Sequence, residues 1–174
     1  MRLLTTIVVT ALLAAPASQI RRPRQPDVRY VPTPQNVVDA MLAMARVTPA
    51  DVVYDLGSGD GRIPITAAEK YGARGVGIEI EPRLVGEAND NAVKAHVTDR
   101  VWFLNQDLFE ADLSRATVVT LFLLPRINQQ LMPTLKRLRP GTRIVSHQFD
   151  MGTEWPPERS QDVNGLMIYL WTIR

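Results

Sequence analysis

The chain of 174 residues is long enough for one α/β domain with a full core and too short for two such domains joined by a linker. Its 45% hydrophobic and 22% charged residues exclude extensive disorder and a protein with many membrane spans. Much of the basic surplus behind the formal charge of +2 lies in one short stretch with Arg21, Arg22 and Arg24, so no nucleic-acid partner is expected. The lack of cysteine excludes disulfides and thiolate catalysis, and His96 and His147 are too few for a His-rich metal site, so no metal is expected.

Residues 1–20 are predicted to be a signal peptide or an N-terminal membrane anchor. An apolar run from Leu3 to Ala15 leads into Ala15-Pro16-Ala17, the small-x-small pattern that signal peptidase cleaves, and cleavage there would give an exported or periplasmic domain. An uncleaved helix from Leu3 to Ile20 would be about 27 Å long, marginally enough to cross a hydrocarbon core of ~30 Å. A buried first helix is disfavoured, because the segment has no polar face.

Residues 21–29 are rich in Pro and Arg and lack a hydrophobic period, so they are predicted to be an extended linker. The folded domain is predicted to cover residues 30–174. If the first segment is an anchor, the arginines of the linker outweigh Arg2 and the amino terminus, and the positive-inside rule then holds the domain in the cytoplasm. The two interpretations place the domain on opposite sides of a membrane, with membrane contact only through the N-terminal segment.

Apolar periodicity predicts alternating helices and strands from Pro34 onward. Helices are predicted at Pro34–Ala45, Arg62–Tyr71, Pro82–Ala95 and Ile127–Leu138. Strands are predicted at Asp51–Leu56, Gly75–Ile80, Val101–Asn105, Ala116–Leu123, Thr142–Ser146 and Leu166–Ile173. This alternation indicates parallel strands joined by helical crossovers. The segment between the last two strands is predicted to be irregular, with a loop at Trp155-Pro156-Pro157.

The strongest motif is a glycine-rich turn, DLGSGDG at residues 55–61, between a predicted strand and a predicted helix. Glycines let the backbone approach a ligand closely, and open α/β sheets bind ligands at the carboxyl ends of their strands. The spacing G-x-G-x-G brings the third glycine one residue earlier than in the dinucleotide fingerprint G-x-G-x-x-G. A nicotinamide-dependent dehydrogenase is therefore disfavoured.

Negative charge in this turn distinguishes between the possible ligands. Asp55 and Asp60 lie where a pyrophosphate would bind, and like charges at close range repel each other by roughly several kcal/mol. S-adenosyl-L-methionine carries an ammonium and a sulfonium, which suit an acidic turn, while the N-terminus of the following helix can receive its carboxylate. We therefore expect this compound as the cofactor, bound by Asp55, Gly57, Ser58, Gly59, Asp60 and Gly61.

Two further strand ends offer carboxylates to the same ligand. Glu79 lies 24 positions after Asp55 at the end of the second strand, where a carboxylate can accept both ribose hydroxyls. Asp107 follows the third strand and is assigned to the adenine amino group, with the backbone of Leu108 at the ring nitrogen. Taken singly, Asp55 could be a turn or capping residue, Glu79 a solvated strand end and Asp107 a helix cap. Together they favour one adenosyl ligand along the sheet edge.

With these residues in place, the chain from Tyr30 to its C-terminus resembles the class I methyltransferases. More narrowly it is similar to the small lysine methyltransferases of mitochondria, which modify ATP synthase subunit c or the adenine nucleotide translocase and also carry a hydrophobic N-terminal segment. The resemblance lies in YVPTP at 30–34, DLGSGDGRI at 55–63, GVGIEIEP at 75–82, and LP at 124–125 followed by WP at 155–156. It implies a Rossmann-like, mostly parallel seven-stranded sheet with helices on both faces, and a lid made by residues 30–34.

The acceptor side departs from a common pattern. Many amino-group methyltransferases place Asp or Asn ahead of Pro-Pro after the fourth strand, whereas this chain has Phe122-Leu123-Leu124-Pro125, so small-molecule and glutamine-type acceptors lose support. A lysine could be held by a backbone carbonyl near Leu124 and by an aromatic wall at Trp155 or Tyr30.

No catalytic residue is assigned, because aligning the two reactants can supply roughly 7–11 kcal/mol and makes a dedicated base optional. The substrate-side candidates are Tyr30, Thr33, Leu124, Pro125, His147 and Trp155. Tyr30 and Thr33 form either the lid or the entry to the first helix, and Trp155 could be packing alone. His147, with Asp150 nearby, is the candidate base, although a hydrogen-bonded structural histidine is favoured.

Three functions stay open at this point. The first is a methyltransferase that acts on a protein lysine, with a membrane-associated partner suggested by the N-terminal segment. The second is a small-molecule methyltransferase. The third is a non-catalytic module that binds S-adenosyl-L-methionine.

Overall fold

The computed structural model describes residues 29–174, and within them no helix is long and apolar enough to cross a membrane. The predicted signal or anchor segment and residues 21–28 lie outside the described residues. The helices are α1 Gln35–Met44, α2 Arg62–Tyr71, α3 Pro82–Lys94 and α4 Pro125–Leu135. The strands are β1 Val52–Leu56, β2 Arg74–Glu79, β3 Val101–Asn105, β4 Val118–Leu121, β5 Arg143–His147, β6 Arg159–Val163 and β7 Leu166–Thr172.

The strands form a seven-stranded sheet in the order β3-β2-β1-β4-β5-β7-β6. Strands β1 to β5 run parallel, and β7 lies antiparallel between β5 and β6. Leu56 of β1 pairs with Ile78 of β2 on one side and with Leu121 of β4 on the other. The order reverses between β1 and β4, which is where open α/β sheets bind ligands. The predicted Rossmann-like fold is confirmed.

Alternate residues of the central strands enter two cores, one on each face of the sheet. Val53 packs in the core formed with α1 and α2, whereas Tyr54 and Leu56 belong to the core formed with α4. Helix α3 packs beside α2 through Ala88 and Ile65. The predicted presence of helices on both faces is therefore confirmed.

Most predicted elements agree with the structure to within three residues, but strand β6 was not predicted. The segment between the last two predicted strands was expected to be irregular, and this expectation is wrong. β6 pairs antiparallel with β7, with Gln161 opposite Ile168. Four of its five residues are exposed and Val163 is only half-buried, so β6 has no alternation of apolar and polar residues that could reveal it.

A buried aspartate holds the amino end of β1 in place. Asp51 accepts hydrogen bonds from the backbone N–H of Thr48 (2.8 Å), from the hydroxyls of Thr48 (2.9 Å) and Thr117 (2.7 Å), and from Arg143 in a salt bridge. Burial alone would raise the pKa of this carboxyl, but the four donors outweigh it and hold the pKa below its ordinary value of 3.8. The network ties β1 to β4 and β5 at the amino edge of the sheet.

Candidate active site

A cavity lies at the carboxyl edge of the sheet, where the glycine turn and the ends of β1, β2, β3 and β4 meet residues 29–33. Seven of the nine predicted cofactor residues line it: Asp55, Gly57, Ser58, Asp60, Glu79, Asp107 and Leu108. Gly59 and Gly61 belong to the same turn. The structure therefore brings the three acidic strand ends and the glycine turn together around one space.

The glycine turn needs conformations that only glycine adopts at low cost. Gly57, Gly59 and Gly61 have φ angles of +79°, +53° and +80°. A Cβ atom on Gly59 would lie 2.2 Å from Cε2 of Tyr30, so the absence of a side chain lets the tyrosine ring lie directly on the turn. The N–H groups of Gly57 and Ser58 both donate to the carbonyl of Ile78, at 2.9 and 3.1 Å, which holds the turn against β2.

Glu79 is oriented by the backbone on both sides of its carboxylate. Its Oε2 accepts a hydrogen bond from the N–H of Gly59 and its Oε1 from the N–H of Glu81, each at 2.9 Å. An ionised carboxylate has about four acceptor positions, so about two remain for ligand hydroxyls. Glu79 is thus held in one orientation with capacity to spare.

Asp55 is the most perturbed acid of the cavity. It is 4% exposed and accepts a hydrogen bond of 2.6 Å from the hydroxyl of Thr120. Burial raises the pKa of Asp55 to about 7, against the Thr120 hydrogen bond, and the negative charges of Glu79 and Asp60 add to the rise. Near neutral pH, a cation placed beside this carboxyl would draw it into its ionised form.

Asp60 is paired, and its partner connects the turn to the residues above the cavity. Arg62 donates from Nε at 2.9 Å and from Nη2 at 2.6 Å to the Asp60 carboxylate. Burial raises the pKa of Asp60, but Arg62 outweighs it and the pKa lies below its ordinary value. Nη1 of Arg62 also donates to the carbonyl of Thr33 at 2.8 Å, and the Tyr30 hydroxyl lies beside both Asp60 and Arg62.

Asp107 combines the two roles that the sequence left open. Its Oδ1 accepts a hydrogen bond from the N–H of Phe109 and its carbonyl accepts one from Glu110, both at 3.0 Å, so it shapes the turn after β3. Asp107 and Leu108 also line the cavity. The turn fixes the place of Asp107 at the edge where an adenosyl ligand is expected.

Of the substrate-side candidates, Tyr30 and Thr33 line the cavity, whereas Leu124, Pro125, His147 and Trp155 do not. The carbonyl of Leu124 accepts hydrogen bonds from Ile127 and Asn128 in the first turn of α4, at 2.9 and 3.1 Å. This carbonyl is therefore already used by the helix.

His147 and Trp155 have other contacts. His147 is 2% exposed, and its Nδ1 lies 3.3 Å from the hydroxyl oxygen of Thr33. Burial lowers the pKa of His147 from its ordinary value of 6.5, which favours the neutral form of the ring. The Trp155 ring packs on Trp171 and under Lys136, and its carbonyl accepts a hydrogen bond from the Trp171 indole.

Comparison with known proteins identifies the family. Residues 55–159 match the family described as the ANTKMT methyltransferase domain, which is more than half of the chain. Over 153 residues the chain is 47% identical to a protein-lysine N-methyltransferase of Saccharolobus islandicus, covering 85% of this chain and 95% of that protein. The chain belongs to the ANTKMT methyltransferase domain family. It is an S-adenosylmethionine-dependent methyltransferase, and the resemblance inferred from the sequence is confirmed.

Two further comparisons concern a curated protein and a solved structure. The chain is 36% identical over 156 residues to the adenine nucleotide translocase lysine N-methyltransferase of Mus musculus, and the match covers 88% of this chain and 66% of that protein. A crystal structure of an RNA methyltransferase from Salinibacter ruber in complex with S-adenosyl-L-homocysteine superposes with a TM-score of 0.80. That protein is 60% identical, and the match covers 82% of this chain and 94% of that chain.

The residues of this methyltransferase site fit its cofactor by their own chemistry. The carboxylates of Glu79, Asp55 and Asp107 suit the hydroxyl, ammonium and amino donors of S-adenosyl-L-methionine. The hydroxyl oxygen of Ser58 is buried beneath the turn and, among the residues that the structure describes, has no hydrogen-bond partner. Between residues 29 and 174, no group of three or more His, Asp or Glu side chains could hold a metal ion.

Sequence reasoning did not single out two residues of this methyltransferase site. Arg62 directly follows the last glycine of the turn, and its contacts with Asp60 and Thr33 depend on the folded path of the chain. Phe122 directly follows β4 and lines the cavity. Its position after the fourth strand could have marked it as a site residue. The sequence analysis used this position only to note that the Asp or Asn of many amino-group methyltransferases is missing there.

Proposed function

We propose that this methyltransferase acts on the ε-amino group of lysine side chains in proteins. The main support for this proposal is the excess of acidic over basic side chains that line the cavity. Among residues 29–174, the lining contains five carboxyl groups and two guanidinium groups: Asp55, Asp60, Glu79, Glu81, Asp107, Arg29 and Arg62. An excess of negative charge attracts a lysine ammonium group and repels the phosphates of nucleic acid. The lysine methyltransferases from S. islandicus and M. musculus support the same acceptor.

The chain's own residues have three tasks in this reaction. Glu79 and Asp107 orient the adenosyl part of the cofactor, and Asp55 offers a carboxylate to its positive end. S-adenosyl-L-methionine, when bound, supplies a methyl group on a positively charged sulfur. Tyr30 and Thr33 cover the cavity, so the acceptor is held in line with the methyl group rather than activated by a strong base. The lysine binds as an ammonium group and releases one proton to solvent before transfer, because only the neutral amine has the lone pair that forms the new N–C bond as the S–C bond breaks.

RNA is the second acceptor to test, because the structure from S. ruber is described as that of an RNA methyltransferase. The acidic lining disfavours it, since phosphates that approach the cavity meet the carboxylates first. Of the two lining guanidinium groups, Arg62 is already paired with Asp60. Arg29 is the other guanidinium group in the described part of the lining.

The experiment is a labelling assay with the purified chain and S-adenosyl-L-methionine carrying a tritiated methyl group. Soluble protein, membrane protein and total RNA from bacterial cells serve as separate acceptors, and an organic extract tests small molecules. We expect label in protein, and mass spectrometry should place it on lysine. Glu79→Ala is the control and should lose the label in every fraction. Label confined to RNA or to the organic extract would refute the lysine proposal.

A further inference from the structure

Phe122 stands on the side of the glycine turn opposite Glu79. Leu56 pairs with Ile78 on one side and with Leu121 on the other, so Glu79 and Phe122 flank Gly57 from β2 and β4. Glu79 is expected to hold the ribose, and Phe122 therefore lines the part of the cavity that remains for the acceptor. The neighbouring Leu123 also lines this wall.

The ring of Phe122 is supported from behind by a buried histidine. Leu121 pairs with Ser146, so Phe122 and His147 lie one residue beyond the end of the β4–β5 ladder. The two ring centroids are 4.0 Å apart with planes inclined by 37°. Thr33 completes the unit, because its hydroxyl lies 3.3 Å from Nδ1 of His147 while Thr33 itself lines the cavity.

The histidine is an unusual choice for a purely structural support. Its Nε2 is buried and finds no hydrogen-bond partner in the described part of the chain. An unpaired buried polar atom costs about 1–3 kcal/mol, so an apolar side chain would pack here at less cost. Burial favours the neutral form of His147, and a neutral ring stacks on Phe122 without placing a positive charge next to the acceptor.

We infer that Phe122, positioned by His147 and Thr33, is the specificity-determining residue that receives the ammonium group of the acceptor lysine. The inference rests on the proposed lysine acceptor. A ring face attracts a cation and packs against the methylene groups of the lysine side chain. It offers no hydrogen bond to an amide, a hydroxyl or a base edge. The surrounding carboxylates supply the negative field in which the cation is bound.

The test measures kcat and KM of the full chain with poly-L-lysine and labelled S-adenosyl-L-methionine. Phe122→Leu keeps an apolar side chain and removes the ring. We expect its KM for poly-L-lysine to rise about tenfold, with kcat within about twofold of the wild type, because a cation–π contact at a desolvated site is of that strength. Phe122→Tyr restores the ring and should recover most of the loss. Trp102→Leu, on the exposed edge strand β3, is the matched control and should leave KM unchanged.

His147→Asn tests the positioning role. We expect it to raise KM about threefold in the wild-type background and to add nothing in Phe122→Leu, since a residue that acts through the ring has no effect once the ring is gone. The melting shift with S-adenosyl-L-methionine reports that a variant is folded and binds the cofactor, and it should stay unchanged in every variant. An unchanged KM in Phe122→Leu overturns the inference, and so does a KM increase accompanied by an equal loss of the melting shift. A wild type that labels no lysine refutes the proposed function itself, before any variant is compared.

Discussion

Replacing Asp55 by Asn should stabilise the ligand-free protein and weaken its binding of the cofactor. The carboxyl has a pKa of about 7 in the fold and 3.8 when exposed, so the folded state binds the proton more tightly than the unfolded state does. Stability therefore falls as pH rises from about 4 to about 7 and stays at the lower value above that. The difference between the two pKa values is equivalent to about 4 kcal/mol. Asn cannot ionise and avoids this loss.

The substitution preserves the local hydrogen bond, because the Asn oxygen can accept from Thr120 as the Asp55 oxygen does at 2.6 Å. We expect the free energy of unfolding at pH 8 to rise by about 2–4 kcal/mol in Asp55→Asn, and the gain to vanish near pH 4. A gain of about 2 kcal/mol corresponds to an increase in Tm of roughly 4–8 °C for a chain of this size. Urea unfolding at the two pH values measures the effect.

Cofactor binding should change in the opposite direction. A ligand present at about 100 times its Kd stabilises the folded state by about 2.7 kcal/mol, and a tenfold weaker Kd roughly halves this. Removing a charged partner of the ammonium or sulfonium should cost at least that factor. Asp51→Asn is the matched control, since this aspartate fixes the amino edge and its pKa is lowered. It should destabilise the protein and leave the Kd unchanged. An Asp55→Asn protein that is less stable than the wild type at pH 8, or that binds the cofactor equally well, would refute the reasoning.

Two further predictions concern the glycine turn and its carboxylate partner. Glu79→Gln should lower the free energy of unfolding by about 1–3 kcal/mol and weaken the binding of the cofactor at least tenfold. The reason is that the NH2 group of the new side chain must face the N–H of Gly59 or of Glu81, which is also a donor. Calorimetry measures the Kd, and an unchanged Kd would contradict the role of Glu79 at the ribose. Gly59→Ala should cost about 1–2 kcal/mol in backbone strain and also displace the Tyr30 ring, which weakens cofactor binding. Gly141→Ala is its control, with a φ of +87° and no described atom within 4 Å of the new Cβ, so it should show the strain without the binding defect in the same two assays.

The alternation of apolar residues predicted the parallel part of the fold well. The short apolar run predicted as β1 is a strand buried on both faces of the sheet, and Gly72 ends the predicted helix α2 in the left-handed conformation that glycine favours. Strand β6 could not be found in this way, since an exposed edge strand needs no apolar face. β6 is a strand because it pairs with β7, where Ile168 lies opposite Gln161, and the residues of β6 themselves do not indicate this pairing.

That the predicted cofactor residues line one cavity follows from the sequence, because they follow consecutive strands and parallel strands bring their carboxyl ends to one edge. The contacts among Thr33, Phe122 and His147 do not follow from it. Thr33 and His147 are 114 positions apart, and their contact depends on the packing of residues 29–34 against β5. The stacking of Phe122 on His147 likewise follows from strand order, which the sequence alone does not state. Candidates chosen by residue type, such as Trp155, turned out to pack away from the cavity.

The two aspartates at the ends of β1 show how the fold separates stability from function. At the amino edge, Asp51 is buried and fully supplied with donors, so its charge stabilises the fold. At the carboxyl edge, Asp55 is buried with one hydroxyl donor and two negative neighbours, so its charge destabilises the ligand-free fold. Within residues 29–174, the buried side-chain atoms without a hydrogen-bond partner also lie at the carboxyl edge: Ser58 Oγ, Asn128 Oδ1, His147 Nε2 and Gln148 Oε1. Of these four residues, only Ser58 lines the cavity. Asp55 and Ser58 are therefore the polar groups at this edge that a ligand could satisfy, and substitutions that satisfy them without a ligand should stabilise this methyltransferase at the expense of binding.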